Sequence, residues 1–393
     1  MARVAHVACS AVFLLLLAPS AQTGTRAESA ASGRDRFQGF EEWSPCRVLH
    51  GQGKRALVTG ITGMLGSHVA EALLERGYEV YGVVRPRSNL RNVASFQDKV
   101  TLLNGELTDP WRVLRLMETV RPDYIFHFAA QAFNSLSYEQ PAETLSVNIL
   151  STLHLLEAVR QLGLQNTTRL LIAGSSTVYG ASTEEWDGPV PESAAMKPVS
   201  PYGVSKAATE MLALQYARTH AMHIVVARFF IHLAPRGVEA LALHDFARQI
   251  VMVEQGLRDP VLQHGDLSTR RDITDIVDSA PVVACLAETA PSGTVVNVGS
   301  NISYSMDQLV RQLVKMSDAP NLELQLDRSR LRAYDERTVL ADISQLKRLT
   351  GWRPQPNMPR LMQLLLGYWR LEVAFRFQLS QGSERQKPAN PEL

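Results

Sequence analysis

Three glycines, Gly60, Gly63 and Gly66, stand between an apolar run, Arg55-Ala-Leu-Val-Thr59, and a segment from about Met64 to Arg76. The first run predicts a short buried strand. The second places Val69, Leu73 and Leu74 at helical spacing and stops at Gly77. In such a strand–turn–helix unit the first glycine lets the chain turn. The second lets backbone approach a ligand, and the third lets the helix pack on the strand. The backbone of Gly60, Thr62, Gly63, Met64, Leu65 and Gly66, with the positive end of the helix dipole, then suits the pyrophosphate of a dinucleotide. The bland alternative is a tight turn with no ligand, but strand, loop and helix all fall where the motif needs them.

A second strand is expected over Glu79-Val-Tyr-Gly-Val-Val84. After it an NAD enzyme usually carries an acid for the adenosine ribose. Here Arg85-Pro-Arg87-Ser88-Asn89 follows, and two guanidiniums with a hydroxyl suit a 2′-phosphate better than a diol. NADP(H) is therefore the expected cofactor and NAD(H) the alternative; solvated loop charges would read the same way.

Tyr202 and Lys206 lie four residues apart on a predicted helix and share one face. An ammonium beside a phenol favours the phenolate, so the pair is expected to bring the tyrosine toward neutral pKa and make it a proton carrier. Ser175 and Thr177 lie in Ala173-Gly-Ser-Ser-Thr-Val-Tyr-Gly180, at the end of a strand predicted from Arg169. In an open parallel sheet that end faces the cofactor.

Strands near 55–59, 79–84, 100–104, 124–128, 169–173 and 223–228 alternate with helices near 64–76, 110–120, 141–162 and 203–219, and Val295 to Val298 returns to the strand pattern. This predicts an α/β fold, a Rossmann-type doubly wound parallel sheet over 54–230. A smaller substrate-binding part is expected over 231–375, interleaved with the last strands. Residues 376–393 read as a disordered tail.

Taken together, these segments resemble the extended short-chain dehydrogenases/reductases that act on nucleotide sugars, from about Lys54 to Glu372. Gly105-Glu106-Leu107-Thr-Asp109 is similar to the family's stretch at the adenine. His127-Phe128-Ala129-Ala130-Gln131 is similar to its strand end beside the nicotinamide, and Asn148 with Ser151-Thr152 to its N-x-x-G-T helix. Arg228 to Gly237 resembles a stretch of the GDP-mannose 4,6-dehydratases, and Gly265 to Asp275 one of the GDP-4-keto-6-deoxymannose reductases. Arg332-Ala-Tyr-Asp335, with Gly351-Trp352-Arg-Pro354, matches the family's ending. The resemblance implies that Arg236, Arg271 and Arg332 bind the substrate, Arg271 and Arg332 at its diphosphate, and that Asp335 meets ribose or base. It also implies Tyr202, Lys206, Ser175 and Thr177 as the catalytic group, with Lys206 holding the nicotinamide ribose as well.

Two departures matter. Dehydratases of the family carry Glu where Thr177 stands, and a hydroxyl cannot replace that general acid/base. Ile231 occupies the place of an Asn near the sugar diphosphate. The expected reaction is thus hydride transfer at C4 of a GDP-hexose, reductase first. A 4-epimerase remains open, as does a dehydratase that recruits Glu184 or Glu185. A non-catalytic dinucleotide-binding module is the rival class, and the presence of both Tyr202 and Lys206 argues against it.

A net charge of +1 over 393 residues gives no electrostatic case for nucleic acid or an anionic membrane. Arg3 and His6 precede the apolar run Val7 to Ala18, and Pro19-Ser-Ala21 offers a cleavage site. Residues 1–21 therefore read as a secretory signal peptide, too short for a membrane span. Residues 22–53 read as a disordered linker or, in a plastid-bearing cell, a transit segment. The expected compartment is the secretory lumen, with a plastid reached by that route as the alternative. Of three cysteines, Cys9 would leave with the leader; Cys46 and Cys285 could pair, but two thiols establish no framework. No His/Cys cluster has metal-site spacing. Asn166-Thr-Thr168 and Asn301-Ile-Ser303 are glycosylation sequons if the chain enters a lumen. The resemblance implies a homodimer through the 141–162 and 203–219 helices, using Leu153, Leu156 and Val159 or Met211, Leu212 and Tyr216, unless these face their own core.

Overall fold

The computed structural model describes residues 38–331 and 334–384, with side chains as far as 377. The signal peptide, residues 22–37 of the linker, Arg332 and residues 385–393 lie outside the described residues.

Arg55–Thr59 (β1), Glu79–Val84 (β2), Val100–Asn104 (β3), Tyr124–His127 (β4), Arg169–Ser175 (β5) and His223–Phe229 (β6) form one parallel sheet. Three more segments, Ile231–Leu233 (β7), Val261–His264 (β8) and Arg270–Asp275 (β9), precede Thr294–Val298 (β10). β10 joins the edge at β6, giving the order β3-β2-β1-β4-β5-β6-β10. The order reverses beside β1, so the carboxyl ends of β1 and β4 open a crevice, which is where such sheets bind ligands. β4 and all but the first residue of β1, β5 and β6 are buried, as strands covered on both faces must be.

The helices that cover the sheet are Met64–Glu75 (α1), Pro110–Val120 (α2), Asn134–Glu139 (α3), Pro141–Gln161 (α4) and Pro201–Thr219 (α5). Asp109 caps α2 by accepting from the backbone of Trp111 and Arg112, and Pro110 occupies its first position. One core layer joins Leu57, Ile125, Leu170 and Ile224 of the strands to Met117, Leu155, Val159 and Ala213 of α2, α4 and α5. Leu156, Val159 and Tyr216 are buried in this layer, whereas Met211 is 61% exposed.

The second part is built from Ala242–Glu254 (α6) and two later helices, whereas Ile276–Thr289 (α7) packs beside α1 on the parallel sheet. Met306–Lys315 (α8) belongs to the second part, and Ser344–Thr350 (α9) packs against α7 and β10. Met358–Glu384 (α10) completes the second part with short strands Ser303–Ser305 (β11), Glu323–Leu326 (β12) and Thr338–Val339 (β13). β9 pairs with β11, β13 and β7. Phe246, Ile250, Leu262, Ile273, Leu309, Leu365 and Trp369 form its core.

Two expectations change. Residues 38–53, read as disordered, are packed. Phe40 and Trp352 are buried and share a β-bridge, and Glu41 N–H donates to Gly351 O at 2.9 Å. Cys46 is disulfide-bonded to Cys285 of α7, with Cα atoms 5.2 Å apart. Arg76 donates to Cys46 O and Val48 O and pairs with the buried Glu288. The segment lacks periodicity because it forms no long element; single anchors hold it, and composition does not record those. The C-terminal helix likewise runs past residue 376, where a tail was expected. Arg376 pairs there with Glu239 and lies 5.5 Å from the Trp369 ring centre.

Candidate active site

The glycine turn has the shape a dinucleotide needs. Gly60 adopts φ 71°, and a Cβ there would meet Ala129 N at 2.8 Å; a Cβ on Gly66 would lie 2.2 Å from Gly60 O. Only glycine permits both approaches. Gly63 caps α1 with no side-chain hydrogen bond. The first N–H groups of α1, at Met64 and Leu65, are therefore left for an anion. These residues fit a pyrophosphate.

At the end of β2, Arg85 and Arg87 are exposed, in a turn closed by Ser88 Oγ accepting from Arg85 N–H at 2.9 Å. Glu106, after β3, accepts from Thr108 N–H and Oγ–H. Phe128, Ala129, Ala130 and Gln131 follow β4, half-buried. The neutral imidazole of His127, held down to about 3 by burial, joins Thr59 Oγ1 at 2.8 Å and Thr152 Oγ1 at 3.0 Å. Asn148 exchanges hydrogen bonds with the Gln131 backbone and donates to Ser205 Oγ, so one carboxamide fixes the post-β4 loop against α5.

β5 ends at Ser175, whose Oγ accepts from Thr177 N–H at 3.2 Å and from Thr177 Oγ1 at 2.9 Å. Ser200 caps α5 by accepting from Gly203 N–H, with Pro201 at its first position. Tyr202 therefore sits in the first turn, with Lys206 one turn on. Lys206 Nζ donates to Ala173 O at 2.7 Å, which ties α5 to β5, and lies 5.9 Å from the Tyr202 ring centre. Burial pushes Tyr202 up to about 12, against a hydrogen-bonding pull from Ser175, and pushes Lys206 down to about 8. A phenol drawn toward neutrality by its ammonium was expected. Desolvation wins instead, because the ammonium is turned to a carbonyl rather than to the phenol.

The expected substrate arginines are placed differently. Arg271 Nη2 donates to Asp335 Oδ1 at 2.5 Å, so these two residues form one ion pair. Arg236 makes a two-pronged pair with Glu71 of α1, at 2.6 and 3.0 Å, which directs its charge to the cofactor domain. Glu185 pairs with Lys197 at the surface and Glu184 is exposed; neither is a hydrogen-bond partner of Ser175 or Thr177.

Sequence reasoning missed Asn92. Its Nδ2 donates to Thr62 O of the glycine turn and to Arg236 O, both at 2.9 Å. His68 adds a contact to Pro235 O at 3.2 Å, so the 235–236 loop is fastened over the pyrophosphate turn. The only signal was position, four residues beyond Ser88 in the loop expected to hold a 2′-phosphate.

A family model described as GDP-mannose 4,6 dehydratase matches residues 57–365. The GDP-6-deoxy-D-mannose reductase of Pseudomonas aeruginosa is 30% identical over 324 residues, 81% of this chain and 98% of that protein. A GDP-mannose 4,6-dehydratase of Vibrio cholerae is 30% identical over 340 residues, covering 77% of this chain and 90% of that one. Among solved structures, RMD from Pseudomonas aeruginosa complexed with NADPH superposes with a TM-score of 0.69 at 28% identity, over 81% of this chain and all of that one. With a doubly wound sheet, a glycine turn and a Ser–Tyr–Lys group in place, this chain belongs to the GDP-mannose 4,6 dehydratase family, an enzyme family of NAD(P)-dependent nucleotide-sugar oxidoreductases.

Proposed function

We propose that the protein is an NADP(H)-dependent reductase acting at C4 of a GDP-linked 4-keto-6-deoxyhexose. The observation that carries this is the pair Thr177–Ser175, in which a hydroxyl stands where a dehydratase needs a carboxyl. A raised Tyr202 agrees with it: a phenol at about 12 is a proton donor throughout the neutral range, as the reductive direction requires. The likeness to a GDP-6-deoxy-D-mannose reductase and to a structure holding NADPH supports the same choice of substrate and cofactor.

When bound, NADPH supplies the hydride that converts the C4 carbonyl to an alcohol. Ser175 and Thr177 orient the carbonyl oxygen, and Tyr202 donates its phenolic proton to it. Lys206 holds the first turn of α5 in place and offers its remaining N–H groups to the nicotinamide ribose. Arg85, Arg87 and Ser88 take the 2′-phosphate, with Glu106 and Leu107 beside the adenine and Phe128 to Gln131 lining the nicotinamide end. Arg271 and Asp335 meet the nucleotide diphosphate and ribose as a pair, with Arg332 from the adjoining stretch.

The compartment is the secretory lumen. The Cys46–Cys285 bond supports an oxidising environment, and the leader-like start agrees with it. The protein pairs with a second copy through α4 and α5, where Met211 and Val204 are exposed.

The test mixes the chain from residue 38 onward with NADPH and GDP-4-keto-6-deoxymannose and follows nicotinamide absorbance, with Tyr202→Phe in parallel. Oxidation that vanishes in Tyr202→Phe is expected. No oxidation with NADPH still bound eliminates this substrate, and interconversion of C4 epimers in a panel of GDP- and UDP-sugars would make the enzyme an epimerase.

A further inference from the structure

We infer that Asn166 carries an N-linked oligosaccharide, added as the chain enters the secretory lumen; the inference rests on that reading of the compartment. Asn166 lies in the loop between α4 and β5, exposed, and its carboxamide has no partner among the described residues. The loop is tight, since Thr167 N–H and Thr168 N–H both donate to Leu164 O. It therefore presents Asn166 at its tip. The disulfide, one ground for that compartment, marks a chain that folds where such glycans are attached.

Position makes the modification compatible with the chemistry. Asn166 precedes the first residue of β5, Arg169, whereas Ser175 ends that strand. Six residues of extended chain separate the two ends by about 20 Å. A glycan at Asn166 thus projects from the amino-terminal edge of the sheet and leaves the crevice open. Asn301 differs. It is exposed, but follows the carboxyl end of β10, and its N–H donates to Asp272, the neighbour of Arg271. A glycan there would rise from the same edge as the proposed substrate site.

The transfer also has an order. The amide nitrogen of Asn166 attacks C1 of an oligosaccharide linked to a lipid pyrophosphate. The N–C1 bond forms, the C1–O bond breaks with the lipid pyrophosphate leaving, and one amide proton is lost to solvent. The Thr168 hydroxyl that completes the sequon is buried in the folded protein and donates to Pro122 O at 2.7 Å. A transferase cannot read it there, so transfer precedes pairing of β5.

The test expresses the full chain, with its own N-terminus, in a glycosylating eukaryotic host. Mobility before and after endoglycosidase is compared for the native chain, Asn166→Gln, Asn301→Gln and Thr168→Ser. Protease protection in microsomes and thiol alkylation report compartment and the Cys46–Cys285 bond in the same samples. The expected result is an endoglycosidase-sensitive shift lost in Asn166→Gln and kept in Asn301→Gln and Thr168→Ser. A protected, disulfide-bonded chain with no shift, or with a shift lost only in Asn301→Gln, overturns the inference while leaving the compartment intact. An unprotected chain with free thiols overturns the compartment reading and the inference with it.

Discussion

Lys206 Nζ donates to Ala173 O at 2.7 Å and stands 5.9 Å from the ring centre of Tyr202, one helical turn behind it. The lysine thus couples α5 to the strand that ends at Ser175, and its charge is set by burial. With Lys206 at about 8 and Tyr202 at about 12, the lysine titrates first. Reductive kcat/KM should fall as pH rises through about 8, and Lys206→Arg, whose guanidinium keeps its charge, should lower the plateau but remove that fall. Unfolding at this residue does not account for the loss. Lys206 is depressed below its ordinary 10.5, so the unfolded chain holds more protons between about 8 and 10.5, and its contribution to stability rises with pH over that window. A pH–rate profile flat to pH 10, or an unchanged inflection in Lys206→Arg, would remove the lysine from this role.

Ser175 and Thr177 act in series. Thr177 donates to Ser175 through its hydroxyl and its N–H, which turns the Ser175 hydroxyl hydrogen toward Tyr202, beside the place where an oxygen develops charge. Ser175→Ala should lower kcat by about 10²–10³-fold, the usual effect of losing one such donor. Thr177→Val keeps the shape and removes one hydrogen bond of about 1 kcal/mol, so a loss of roughly fivefold is expected. Steady-state kinetics of both variants decide the point: equal losses, or losses confined to KM, contradict the series arrangement.

Cofactor choice should follow Arg85 and Arg87. Both guanidiniums are exposed at the end of β2, free to close on a 2′-phosphate. Charge-assisted bonds of about 1.5–3 kcal/mol predict that Arg85→Ala with Arg87→Ala raises the KM for NADPH by 10-fold or more and leaves that for NADH nearly unchanged. The advantage of NADPH should also shrink as salt rises. Equal KM changes for both cofactors would mean that these charges only solvate the loop.

The sheet, its helices and the Ser–Tyr–Lys group were legible because each rests on a local pattern. Apolar runs mark buried strands, and glycines mark the turn. A four-residue spacing puts Tyr202 and Lys206 on one face. What was not legible depends on which distant group arrives. Nothing near Arg236 says that Glu71 will take it, and nothing near Lys206 says that Ala173 O will outcompete the phenol. Asn92 reads as a loop residue until the chain brings Thr62 O and Arg236 O to the same carboxamide. Residues 38–53 lack any periodicity, and only Phe40 against Trp352 and Cys46 against Cys285 make them structure.

That last anchor can be measured directly. Cys46 and Cys285 are separated by 239 residues, so the bond constrains a long loop in the unfolded chain, and removal should cost about 2–4 kcal/mol. The bond lies with Arg76 and Glu288 on the side of α1 and α7, away from Ser175 and Tyr202. Cys46→Ser with Cys285→Ser should therefore lower the thermal midpoint and open residues 38–53 to proteolysis, while kcat at moderate temperature changes little. Reductant should lower the midpoint of the native chain and leave the double variant unaffected. Thermal melts with and without reductant check both arms: a native midpoint indifferent to reductant would mean that Phe40, Trp352 and Arg76 hold the segment without the bond.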